Sequence, residues 1–150
     1  MHKLLVDTGV EEFEVNGRGV LRFNPGDPNI YHRFFAAREE LAALDEELVR
    51  RSAELPGEGR DGESLALLAE YDRRVKDLLN RVFGAPNDFD EILGGVNLAG
   101  VGANGRRVVE NLLDALAPVL QKGARRTVQA TAADAVAEAQ AARAARGEQA

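Results

Sequence analysis

Residues 11–34 read EEFEVNGRGVLRFNPGDPNIYHRF, and this stretch decides the class of fold. Phe13 and Val15 alternate with Glu12 and Glu14, the period of a strand with one wet face. Asn16-Gly17 then supplies the two residues that tolerate positive φ, which a tight hairpin turn demands. Val20-Leu21-Arg22-Phe23 returns with partial alternation. Asp27 is suited to cap a helix, and Pro28 suits the first helical position, where its missing N–H costs nothing. A hairpin that runs directly into a helix predicts an α+β protein. Leu4-Leu5-Val6 is a candidate third short strand. Two strands alone are marginal in water, so one face of the hairpin must pack on a helix or on a partner.

From Pro28 onward the pattern is helical. Ile30, Phe34, Ala37, Leu41, Leu44 and Leu48 keep a seam spaced four, three, four, three, four, which predicts a helix over about 28–55. Pro56-Gly57-Glu58-Gly59-Arg60-Asp61-Gly62 reads as a linker. A second helix is expected from Glu63 or Ser64 to Phe83, with the seam Leu68, Tyr71, Val75, Leu78 and Val82 and a stop at Gly84. Matching seams and a short joint predict an antiparallel helix pair. Residues 87–93 form a turn or two capped by Asn87 or Asp88, ended by Gly94-Gly95.

The loop from Val96 to Gly105 leads to a helix over about 106–122. Its stripe is Val109, Leu112, Leu113, Leu116, Val119 and Leu120, and Pro118 within it predicts a kink or a restart. The expected organisation is one domain, residues 1–122, in which a hairpin at 11–24 packs on a small, predominantly helical bundle. An Ala-rich tail follows at 123–150. Ten of the eighteen residues 130–147 are alanine, which favours helix but buries little apolar area. That tail is read either as a helix or as disordered chain that orders on a partner.

Composition narrows the functional classes. The net charge is −6 and the pI about 5.0, so the overall field repels a polyanion, and no nucleic-acid partner is expected. The chain has no Cys, hence no disulfide, thiolate metal site or sulfur nucleophile. No apolar run approaches a membrane span, and the N-terminal stretch lacks the pattern of a signal peptide. A soluble cytoplasmic protein is the expectation. The tail carries five basic and three acidic residues from Lys122 to Ala150, a charge suited to an acidic partner.

Each candidate for chemistry meets a simpler reading. Gly100-Val101-Gly102-Ala103-Asn104-Gly105 matches a dinucleotide fingerprint, but the run before it is loop-like and no acidic residue follows at the required distance. Asp88, Asp90 and Glu91 lack the fifth and sixth positions of a calcium loop and read as acids at a helix N-terminus. His32 has Pro28 and Ala36 as its four-residue neighbours, so no metal pair forms, and His2 stands at the chain terminus. Glu11, Glu12 and Glu14 read as a solvated strand face. The pairs Arg50-Arg51, Arg73-Arg74, Arg106-Arg107 and Arg125-Arg126 read as ion pairs and solvated faces. Phe34 and Phe35 diverge on the helix, one expected toward Phe13 and Phe23 and the other toward the second helix. No catalytic, cofactor-binding or metal-ligating residue is assigned.

The segments FEVNGRGVLRFNPGDPNIYHRF (13–34), LLNRVFGAPNDFDEILGGVNLAGV (78–101) and VVENLLDALAPVL (108–120) carry a resemblance. The order of hairpin, long helix, linker and second helix, with Val82-Phe83-Gly84, Leu93-Gly94-Gly95 and Asn97, resembles the tail assembly chaperones of long-tailed bacteriophages. The resemblance covers roughly residues 11–122 and leaves out the Ala-rich end. It implies a non-enzymatic protein of the host bacterial cytoplasm, absent from the mature virion. Such proteins bind the tape-measure protein and help recruit tail-tube subunits; many also exist in a frameshifted, extended form. The alternative is a structural tail component or a generic helical oligomer that self-associates. Phe34, Leu41, Leu44, Tyr71, Leu78, Val109, Leu112 and Leu116 are the residues expected to serve either the core or client contact.

Overall fold

The computed structural model describes residues 1–57 and 61–147. Strands β1 (Glu11–Val15) and β2 (Gly19–Phe23) form an antiparallel hairpin. Four helices follow: α1 (Pro28–Glu54), α2 (Asp61–Phe83), α3 (Phe89–Ile92) and α4 (Val108–Ala145). The protein is therefore α+β and predominantly helical, with its hairpin at the N-terminal end. Glu58, Gly59 and Arg60 of the expected linker, and Glu148 to Ala150 of the tail, lie outside the described residues.

The hairpin turns where its sequence demands. Asn16 and Gly17 adopt φ of 54° and 73°, and Arg18 N–H returns to the Val15 carbonyl at 3.2 Å. Pairing runs from Glu11 opposite Phe23 to Val15 opposite Gly19. Phe13 and Phe23 stack at 4.9 Å on the inner face. At the helix start Asp27 accepts a hydrogen bond from Asn29 N–H, and the chain has turned through Asn24-Pro25-Gly26 to reach it.

Helices α1 and α2 are antiparallel, as the charged contacts along their length record. Arg33 donates to the Val82 carbonyl at one end, Arg74 meets Glu47 in the middle, and Arg51 meets Glu70 at the other. Helix α2 starts two residues before its expected position: Asp61 and Glu63 favour its positive N-terminal dipole, while Gly62 is tolerated. Gly84 ends it with φ of 76°.

Phe83, the last residue of α2, organises the core. Its ring lies 4.9 Å from Phe23, 5.4 Å from Phe89 and 6.3 Å from Phe34. The expected division of the Phe34–Phe35 pair needs correction. Phe34 faces α2, Phe83 reaches the hairpin, and Phe35 lies half-buried against Tyr31 with the Arg38 guanidinium over its ring.

Two further expectations fail. Leu4-Leu5-Val6 is not a third strand: residues 1–10 have no regular structure, and the described sheet has two strands. Asp7 accepts from Gly9 N–H and Asn24 Nδ2 donates to the Thr8 carbonyl, so the chain is directed toward α4 rather than back along β1. Of the kink or restart expected at Pro118, the restart does not occur. The last helix starts at Val108, two residues late, and continues through Pro118 and the Ala-rich segment as one element. Pro118 lies on the exposed face while Leu116 and Leu120 on either side are buried, so packing spans the missing hydrogen bond. Packing of α4 on the body also reaches beyond residue 122. Gly123 is buried against Pro25, and Thr127 Oγ1 donates to the Gly26 carbonyl at 2.6 Å.

Candidate interaction surface

The eight residues assigned to core or client contact separate into two groups. Phe34, Tyr71, Leu78, Val109 and Leu116 are buried within the chain's own core. Leu41, Leu44 and Leu112 are half-buried and pack against that core at its margin. The helical seams are thus consumed by the fold.

The polar clusters serve the fold too. Tyr71 Oη donates to Asp45 Oδ1 at 2.5 Å, and the Arg107 guanidinium grips both Asp45 oxygens at 3.2 and 3.0 Å. This ties α1, α2 and the start of α4 together. Burial and then the bond to Asp45 push the Tyr71 phenol well above its ordinary value, against Arg107, so it stays protonated at neutral pH and is no base. The bond to Asp45 outweighs the loss of hydration, which opposes it, so the Arg107 pKa is raised and the guanidinium stays charged.

Lys76 is buried beside Leu79 and Val75 and bonds Asp90 at 2.6 Å and Asp72 at 2.9 Å. Burial disfavours its charge, but Asp90 and Asp72 outweigh that, and its pKa is raised. Asp72 also accepts from Leu98 N–H at 2.8 Å, and Asn97 donates to the Leu68 carbonyl, so the loop after α3 is pinned along α2. Asp88 caps α3 through Asp90 N–H, the helix-terminal role expected of that acidic group.

The Gly100–Gly105 segment closes on itself. Gly102 N–H bonds the Arg106 carbonyl at 2.7 Å and Val108 N–H the Gly100 carbonyl at 2.8 Å, with Val101 bridged to Arg107. What precedes it is α3 and a run of turns, not a strand, so the setting of a dinucleotide fingerprint is missing. Arg106 pairs with Asp114 and Glu110. Among the described residues no three His, Asp or Glu side chains are gathered as metal ligands. His32 is exposed, near Tyr31, Gln121 and Arg125.

What the fold leaves uncovered is a line on α4. Positions 109, 116, 120, 123 and 127 face the body, and that line ends at Thr127. From Val128 to Ala145 every residue is exposed. Eighteen residues at about 1.5 Å each project a rod of roughly 27 Å. One side of this rod carries Val128, Ala132, Ala135, Val136, Ala139 and Ala142, a helical stripe. Toward the body the same side continues through Ala124 and Gln121 into a groove closed by Pro28, Tyr31 and His32 of α1. Arg125 and Arg143 lie within the arc of the stripe near its two ends, and Asp134 and Glu138 lie off it. The sequence marks this tail as a helix or as chain that orders on a partner, but it does not single out the Val128–Ala142 side. The signal is the shared phase of Ala124, Val128 and Val136, which holds because α4 runs on past residue 122.

No protein-family model matches this chain, and no characterised protein or solved structure is similar to it at a significant level. Among the described residues no helix is long and apolar enough to cross a membrane.

Proposed function

We propose that this chain is a tail assembly chaperone of a long-tailed bacteriophage, acting in the host cytoplasm by binding and without catalysis. Its client is the tape-measure protein, a long helical chain that it keeps soluble while tail-tube subunits gather, and it leaves before the virion is complete. The observation that carries this reading is the projecting half of α4, continuous with the Tyr31–Val128 groove. A helical client docks on such a surface through anchors at three- and four-residue spacing. Alanine lets a second helix approach closely, and two valines supply modest apolar anchors. Contact of this kind is weak singly and strong when several copies act along one client, which suits release as the tube polymerises. The resemblance of residues 11–122 to this class supports the same assignment.

Co-expression with a candidate tape-measure protein from the same genome tests the proposal. The tape-measure protein should remain soluble and co-purify with this chain, and should aggregate without it. Mass spectrometry of purified particles separates the alternative: a structural tail component would be abundant there, and a chaperone missing.

A further inference from the structure

The two edges of the hairpin are treated differently. On the outer edge of β2, Asn87 occupies the place of a third strand: its Oδ1 accepts from Arg22 N–H at 2.8 Å and its Nδ2 donates to the Arg22 carbonyl at 2.7 Å. Beyond it Gly19 lies directly on the Ile92 backbone, where a Cβ would collide. Because Arg22 turns both main-chain groups away from β1, its partner Glu12 does the same in the opposite direction, as antiparallel pairing alternates. The N–H and C=O groups of Glu12 and Glu14 thus form the outer edge of β1, and both residues are exposed. An open edge is a template for another strand.

The same chain carries a strand-forming segment that its own fold does not use. Leu4, Leu5 and Val6 are 90%, 99% and 76% exposed. Asp7, Gly9 and Asn24 steer the chain toward α4 and away from β1, so this arm stands clear of its own hairpin. Its pattern complements β1. With Leu4 and Val6 on one face and Lys3 and Leu5 on the other, the apolar pair extends the face of Phe13 and Val15, and Lys3, with Leu5 beside it, falls on the face of Glu12 and Glu14.

We infer that residues 3–6 of one copy add as a third strand to the open β1 edge of a second copy. The exchange is reciprocal, which gives a closed two-fold dimer with two three-stranded sheets. Main-chain hydrogen bonds supply the affinity, and the pairing of Lys3 with Glu12 and Glu14 sets the register. This self-association is independent of the α4 surface.

Sedimentation equilibrium of the full chain tests it, together with two variants. The expected result is a dimer at micromolar concentration. Removal of residues 1–6, or Glu12→Pro, should raise the dissociation constant at least tenfold with unchanged helical circular dichroism. Proline at position 12 removes an N–H that points away from β2, so the hairpin keeps its ladder while the arm loses its anchor. Carbodiimide cross-linking of mixed isotopically light and heavy protein should join Lys3 of one copy to Glu12 or Glu14 of another. A chain that stays monomeric at hundreds of micromolar, or a dimer that survives both variants, would overturn the inference.

Discussion

Asn87 holds Arg22 as a neighbouring strand would, exchanging both main-chain hydrogen bonds across 65 residues of sequence. Its Nδ2 also reaches the Gly84 carbonyl at 3.0 Å, so one buried carboxamide joins the hairpin to the end of α2. Asn87→Ala leaves the Arg22 N–H and carbonyl unpaired and strips the Nδ2 contacts from the Phe83 and Gly84 carbonyls, of which Gly84 keeps its bond to the main-chain N–H of residue 87. Such a loss is expected to destabilise by about 2–3 kcal/mol, read by urea denaturation, and Asn87→Asp should not rescue it because a carboxylate cannot donate to those carbonyls.

Glycine to alanine should have opposite signs at two helical positions. At Gly62 a Cβ meets open space, and the substitution should stabilise by about 0.5–1 kcal/mol through helix propensity. At Gly123 a Cβ would overlap the Pro25 carbonyl, and the backbone cannot yield as a flexible side chain does. Gly123→Ala should therefore destabilise by about 1–3 kcal/mol despite its better propensity. Thermal melts of the two variants check both signs.

Alkaline pH should weaken the fold. Tyr71 is raised chiefly by burial and then by Asp45; Lys76 is raised because Asp90 and Asp72 outweigh its burial. A raised folded value favours the protonated group in the native state. The contribution is whole below the unfolded values of about 10 and 10.4, and it is lost as pH climbs through the folded ones. Stability should be flat from pH 7 to 9 in these two groups and fall above pH 10, with a shallower fall in Tyr71→Phe. In a Tyr31→Phe background, phenolate absorbance should appear together with unfolding rather than before it.

Those features divide by how local their causes are. The Asn16-Gly17 turn, the Asp27 cap and the Asp88 cap are each settled within four residues, and each was legible. The helical seams were legible as buried lines, because a period of three and four is written along one element. The course of residues 1–10 was not: Leu4-Leu5-Val6 has strand composition, and only Asn24 and Asp7 show that the chain leaves β1. Pro118 was read by its local rule, whereas Leu116 and Leu120 hold the helix together across it. Arg107 forms an ion pair, as its sequence setting suggested, but its partner Asp45 lies 62 positions away and could not be named from sequence. The α4 stripe lies wholly after Pro118, and what the sequence left open was whether residues 123–145 continue the helix.

The exposed half of α4 should contribute function and little stability. A chain ended after Ala130 retains the Gly123 and Thr127 contacts with Pro25 and Gly26. Its urea midpoint should match that of the full chain, because every described residue it lacks is exposed.

The central claim is that the Val128–Ala142 side of α4 holds a helical polypeptide. Its most direct test is the affinity of the tape-measure protein for the full chain and for the double variant Val128→Glu, Val136→Glu, both positions being exposed. The account predicts binding by the full chain and at least a tenfold loss in the variant, with no change in melting temperature. Equal affinity for both, or no binding by the full chain, would contradict it.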